Sequence, residues 1–198
     1  YLLLSEQYDK YQLLEKVRSG VILRVLVFFG SVDLTRQTEL AITAITELNE
    51  SGITFDIIVG SSNPQKDTIR KRCTEHVNIN FHCQVDNMSD FISRADFALG
   101  AGGSTTWERC KLGLPTATVI VAENQREVTK NAAEIGVVLN MGDFSKVTEN
   151  SYLTVLRRLI ATPADVSVMS QKCLELFSDI PNTEIVDLLS GKSKLIAS

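Results

Sequence analysis

Within ten residues, Leu99-Gly100-Ala101-Gly102-Gly103-Ser104-Thr105-Thr106-Trp107-Glu108 combines three glycines, three hydroxyl side chains and one carboxylate. Glycines let a backbone approach a ligand closely, and exposed N–H groups at a helix start favour an anion such as phosphate. Ser104 or Thr105 suits the cap of a helix whose third or fourth residue is acidic. Glu108, about one turn into that helix, can accept hydrogen bonds from ribose hydroxyls. The same spacing also serves tight packing of a helix on a strand, so taken alone it identifies no ligand.

The continuation narrows the choice. In Leu112-Gly113-Leu114-Pro115, Gly113 can end the helix in the left-handed conformation and Pro115 resets the chain to an extended strand. Asn124 and Gln125 then fall at the carboxyl end of that strand, where side-chain amides can donate to and accept from sugar hydroxyls. Asn124 equally suits a helix cap.

Other reactive residues are weaker candidates. His76 sits at an expected helix end, where a cap interaction explains it, whereas His82 at a strand's carboxyl end is a candidate lining residue. The cysteines Cys73, Cys83, Cys110 and Cys173 are widely spaced, without a CxxC pair, and read as free thiols of a reducing compartment. Cys83 and Cys110 have no neighbouring histidine motif and read as packing residues. Trp107 reads as core in preference to a base-stacking platform. Asp86, Asp90 and Asp96 read as solvated helix ends without metal-ligand spacing. No metal and no cofactor are expected in this chain.

These residues need a scaffold, and apolar β-branched runs alternating with helical periods supply it. Strands are expected at Ile22–Phe29, Thr54–Val59, Asn78–His82, Phe97–Leu99, Ala117–Val121 and Val137–Leu139. Helices are expected at Thr35–Ser51, Gln65–Glu75, Met88–Arg94, Thr105–Leu112, Gln125–Ile135, Glu149–Ala161, Ala164–Ser178 and Thr183–Leu189. This alternation implies an α/β, Rossmann-like parallel sheet with helices on both faces. Residues 1–20 read as a connector, 21–190 as the domain and 191–198 as a frayed tail. Arg18, Ser19 and Gly20 suit a turn into the first strand.

The chain has 198 residues, 44% of them hydrophobic and 22% charged, which suits one globular domain and excludes wholesale disorder. Its net charge of −4 and scattered basic residues speak against a nucleic-acid partner. Apolar runs such as Val25–Phe29 are far below the ~20 residues of a membrane span. Tyr1 opens the chain without a signal-peptide pattern, so the start reads as a cut inside a longer, cytoplasmic protein.

Gly100–Ala132 resembles the C-terminal domain of GT-B-fold nucleotide-sugar enzymes, including the peptidoglycan lipid-intermediate N-acetylglucosaminyltransferase. It is more similar still, from about Val25 to Leu189, to the UDP-sugar hydrolases of pseudaminic acid biosynthesis and the related spore-coat polysaccharide biosynthesis proteins. Ala101–Glu108 is the most specific part, and Tyr1–Tyr8 resembles that group's interdomain connector. The resemblance implies the C-terminal half of an enzyme that releases UDP from UDP-2,4-diacetamido-2,4,6-trideoxy-β-L-altropyranose. It further implies that Gly102, Gly103, Ser104 and Thr105 hold the diphosphate, Glu108 binds ribose, and Asn124 with Gln125 face the sugar. Within His82–Met88, Val85 would edge the uracil. The catalytic base would be a histidine of an N-terminal domain absent from this chain.

Two departures stand out. Where the group has Gly-Gly-Ser/Thr-Asp after the first strand, this chain has Gly30-Ser31-Val32-Asp33, and its Asp-Gly-x-Gly pattern becomes Asp179-Ile180-Pro181-Asn182 with Ile185 in place of the following Arg. The alternatives are the donor-binding domain of a glycosyltransferase, or a non-catalytic nucleotide-sugar module fused to a sialic-acid-type biosynthetic enzyme.

Overall fold

The computed structural model describes residues 17–178. The expected connector before residue 17, the turn Asp179–Asn182, the helix Thr183–Leu189 and the tail lie outside the described residues.

Six strands alternate with helices in chain order. They are β1 (Arg24–Phe28), α1 (Gln37–Leu48), β2 (Thr54–Val59), α2 (Lys66–Thr74), β3 (Ile79–Cys83), α3 (Met88–Arg94), β4 (Phe97–Ala101), α4 (Thr105–Lys111), β5 (Thr116–Ile120), α5 (Arg126–Glu134), β6 (Val138–Asp143), α6 (Glu149–Ala161) and α7 (Pro163–Ser178). All paired strands are parallel, in the order β3-β2-β1-β4-β5-β6. This is the doubly wound order, and its direction reverses between β1 and β4, where open α/β sheets form a crevice at the strands' carboxyl ends.

Alternation along the strands fills both faces. Val25 and Val27 join Phe55, Ile57, Phe97 and Leu99 on the face covered by α1, α2 and α6. Leu26, Ile58 and Ala98 point the other way, onto Ile92 of α3 and Leu112 and Leu114 around the end of α4. Each such aliphatic side chain fully buried contributes about 1.5–3 kcal/mol, so a strand continuous in apolar residues is fixed on both sides. A smaller cluster of Trp107, Cys110, Ala132, Val138 and Cys173 joins α4 and α5 to α7.

Two strand limits differ from the sequence expectation in ways that matter. β4 continues through Gly100 and Ala101, which pair with Thr118 and Val119, so the glycine turn proper begins at Gly102. β6 runs on to Asp143 because it is an edge strand that absorbs a register shift opposite Thr118/Val119, and its half-exposed residues lack an apolar signal. Arg18, in the segment that leads into β1, is buried; its guanidinium donates to the carbonyls of Ala95, Leu112 and Ile92, and its N–H to Ser170 Oγ at 3.0 Å.

Candidate functional site

The end of β4 and the turn after it carry three glycines in three environments. A side chain at Gly100 would collide with the Arg109 guanidinium and with Phe28 O, and one at Gly102 would collide with Thr129 Oγ1. At Gly103 a Cβ would meet only Gln125 Nε2 at 3.6 Å. Gly100 and Gly102 are thus required by close packing beneath the turn, whereas Gly103 leaves the outer side accessible.

The backbone donors divide in the same way. The Gly102 N–H donates to Val119 O at 3.0 Å, inside the sheet, and is unavailable to a ligand. Those of Gly103, Ser104 and Thr105 donate to no acceptor among the described residues. Ser104 stands at the N-cap position of α4 but has αR geometry (φ −56°, ψ −32°), and its side chain makes no capping bond. The expected cap by Ser104 or Thr105 is therefore not formed: a cap oxygen acts from extended backbone, and Ser104 has already turned helical.

Gln125 closes one side. Its Oε1 accepts from the Val121 N–H at 3.1 Å, and this bond directs the amide nitrogen to Gly103. Asn124 is exposed, and the cap it was expected to offer is absent, because Gln125 occupies the N-cap position of α5. Glu108 is half-buried, one turn into α4. Val85 follows β3, three strands from β4, which the ordinary strand spacing sets roughly 14 Å away. It packs half-buried in one cluster with Phe28, Met88 and Phe91, and Phe28 is the register partner of Gly100. Phe28 and Val85 thus pack against the same buried core, Phe28 beside the strand that leads into the glycine turn. Phe28 was not singled out from the sequence, where it looks like any strand residue.

The neighbouring turn, after β1, differs. Asp33 is buried at φ 45°, and its carboxylate accepts from the N–H groups of Gln37 and Thr38 at 3.1 and 2.7 Å and from the hydroxyls of Thr35 and Thr38 at 3.0 and 2.7 Å. The start of α1 is already served by an anion of the chain itself. Val32 and Leu34 remain exposed.

The other candidates fall away from this edge. His76 lies beyond α2, near Thr46 Oγ1 at 3.4 Å, at the opposite end of the sheet. His82 turns its ring to Asp56 Oδ1 at 3.0 Å and edge-on to Phe91, so it does not line the glycine turn. Trp107 is core. Cys110 and Cys173 are buried together, and Cys110 beside it and burial both push the Cys173 thiol up; burial also pushes Cys73 up to about 11. Asp96 caps the start of β1 by accepting from the N–H groups of Leu23 and Arg24. Among the described residues no three His, Cys, Asp or Glu side chains converge as a metal site would require, and no helix is long and apolar enough to cross a membrane.

A parallel sheet of this order, with a glycine turn at its point of reversal, defines a Rossmann-like α/β domain, and its fold matches the C-terminal domains of GT-B glycosyltransferases. Residues 24–158 match the model of the glycosyltransferase family 28 C-terminal domain, and the chain belongs to that family. The spore coat polysaccharide biosynthesis protein SpsG of Bacillus subtilis is 23% identical over 141 residues, which are 70% of this chain and 41% of that protein. Among solved structures, MurG of Acinetobacter baumannii superposes with a TM-score of 0.62 at 20% identity, over 96% of this chain and 54% of its own. MnaA of Staphylococcus aureus, solved with UDP, superposes with a TM-score of 0.60 at 14% identity, over 96% of this chain and 48% of its own. The chain therefore spans about half the length of the relatives it matches.

Proposed function

We propose that this chain binds the nucleotide of a UDP-sugar at the carboxyl ends of β4 and β5, as half of an enzyme that cleaves the sugar–phosphate bond with water. The observation that carries the proposal is the run of three backbone N–H groups, Gly103 to Thr105, without an acceptor of their own at the sheet's point of reversal. Amide donors fixed in space can bind a diphosphate without reorganising. Gln125, with its amide nitrogen held toward Gly103, would meet the phosphate or the sugar, and exposed Asn124 would meet the sugar. Glu108 would bind the ribose, and Val85, packed against the same core as Phe28, would edge the uracil. Family membership and the UDP held by the MnaA fold neighbour support the nucleotide, and the likeness of Ala101–Glu108 to UDP-sugar hydrolases supports water as the attacking group.

A second reading, with an acceptor hydroxyl as the attacking group, is favoured by the family's name and by the MurG fold. Both readings share the donor site. Calorimetric titration with UDP, ADP and NAD tests it: UDP is expected to bind tightest, and Glu108→Ala to weaken it by about 1–3 kcal/mol through loss of charged hydrogen bonds. Equal affinity for UDP and ADP, or none for UDP by the folded protein, overturns the reading.

A further inference from the structure

Three buried side-chain polar atoms lack a hydrogen-bond partner among the described residues: Arg109 Nε, Thr118 Oγ1 and Thr129 Oγ1. All three surround the glycine turn. Thr118 is the register partner of Gly100, Thr129 packs beneath Gly102, and the Arg109 guanidinium lies over Gly100. Buried polar groups are normally satisfied, so their concentration around one turn marks a place where packing has been subordinated to something else.

Arg109 is the most costly of the three. It is 2% exposed, and no carboxylate lies within ion-pair distance of it among the described residues. Its Nη2 donates to Ala101 O at 2.9 Å and to Thr106 Oγ1 at 3.2 Å. Burial pushes the guanidinium down to about 10, against the opposing influence of Cys110, Glu108 and Cys173. Burying a cation is costly unless hydrogen bonds or an opposite charge compensate it, so an anion nearby relieves part of that cost.

Resting on the proposed nucleotide site, we infer that Arg109 is a positioning residue for the diphosphate, supplying from beneath the glycine turn the positive charge that the site lacks on its surface. The guanidinium does not touch the ligand. It acts through the turn, bracing Ala101 O inward so that the next peptides are fixed, and its field reaches the ligand through an interior of low polarity. This explains two glycine-dependent contacts at once: only glycine at position 100 lets the cation lie against the strand, and only one residue separates Ala101, which it holds, from Gly103, whose N–H is unused. It also explains why the diphosphate site contains no exposed Arg or Lys among the residues that build it.

The test compares ligands of graded charge on three proteins: the unaltered chain, Arg109→Met and Arg109→Lys. UDP, UMP, uridine and inorganic pyrophosphate are titrated, with a melting curve for each protein. Arg109→Met is expected to lose tenfold or more in affinity for UDP and pyrophosphate, less for UMP, and under twofold for uridine, while Arg109→Lys recovers most of the loss. If Arg109→Met does not fold, the same ratios are read on Arg109→Gln, which keeps a donor for Ala101 but not the charge. Equal loss for UDP and uridine makes Arg109 a structural brace and overturns the inference, as does no loss at all. An unaltered protein that is folded but binds pyrophosphate and not UDP removes the nucleotide reading while leaving the charge-dependence measurable on pyrophosphate. One that binds neither removes both.

Discussion

The turns after β1 and β4 leave adjacent strands of one sheet at the same edge, yet they treat the start of the following helix in opposite ways. After β1, Asp33 folds back and satisfies two N–H groups and two hydroxyls with its own carboxylate. After β4, three successive N–H groups have no acceptor among the described residues and the buried charge beneath them is positive. Topology alone would offer both turns to a phosphate. What separates them is the sign of the charge the chain itself contributes: an intramolecular carboxylate repels a second anion, whereas a buried guanidinium attracts one.

The largest expected effect breaks the β4 turn from outside. Gly103→Val introduces a side chain where the only neighbour is Gln125 Nε2, so the protein is expected to fold with an unchanged melting curve while UDP binding by calorimetry is abolished. A folded Gly103→Val protein that binds UDP normally makes the turn a structural joint.

Next in size is the β1 turn. Asp33→Ala removes the acceptor that caps α1 and should cost about 1–2 kcal/mol of stability, read as a Tm lower by roughly 3–8 °C. UDP affinity should stay within twofold. A larger loss of affinity than of stability would assign the β1 turn to the ligand after all.

A smaller effect follows from pH, at Asp56 of β2. Burial pushes the Asp56 carboxyl up, but bonds from His82, Arg24 at 2.6 Å and Asn80 outweigh it and hold it below its ordinary value. A carboxyl depressed in the folded state contributes stability that is complete above its unfolded value, about 4, and is lost as pH falls through the folded value. Asp56→Asn should therefore be less stable than the unaltered protein at pH 7, with a gap in Tm that narrows below about pH 4. A gap of constant width from pH 7 to pH 3 contradicts the assignment. The smallest effect belongs to Val32→Ala in the exposed loop after β1, where UDP affinity is expected to change by less than twofold in the same titration; a greater change would bring that loop into the site.

Much of the fold was legible because its signals are local. The buried parallel strands are near-continuous apolar runs, and α3 and α6 begin and end where the helical period does. Gly102 to Thr105 drew notice for the same reason, since glycines and hydroxyls beside a strand end are visible without knowing what surrounds them. Misjudged features depend on partners distant in sequence. The burial of Arg18 is invisible in the sequence because the carbonyls that hold it come from 92, 95 and 112. Ser104 looked like a cap because the sequence does not reveal its φ and ψ.

The sequence by itself determined the order of strands and helices, the glycine turn and the candidacy of Glu108 and Gln125, because hydrophobic period and conformational freedom are properties of neighbouring residues. Only the tertiary structure decided which donors are available. Gly102 gives its N–H to Val119, across the sheet, while Gly103 keeps its own. It also decided that Arg109, one residue after a conspicuous glutamate and indistinguishable from a surface arginine in the sequence, is buried against Gly100. Charge becomes informative only when its desolvation is known, and desolvation is a property of packing in space.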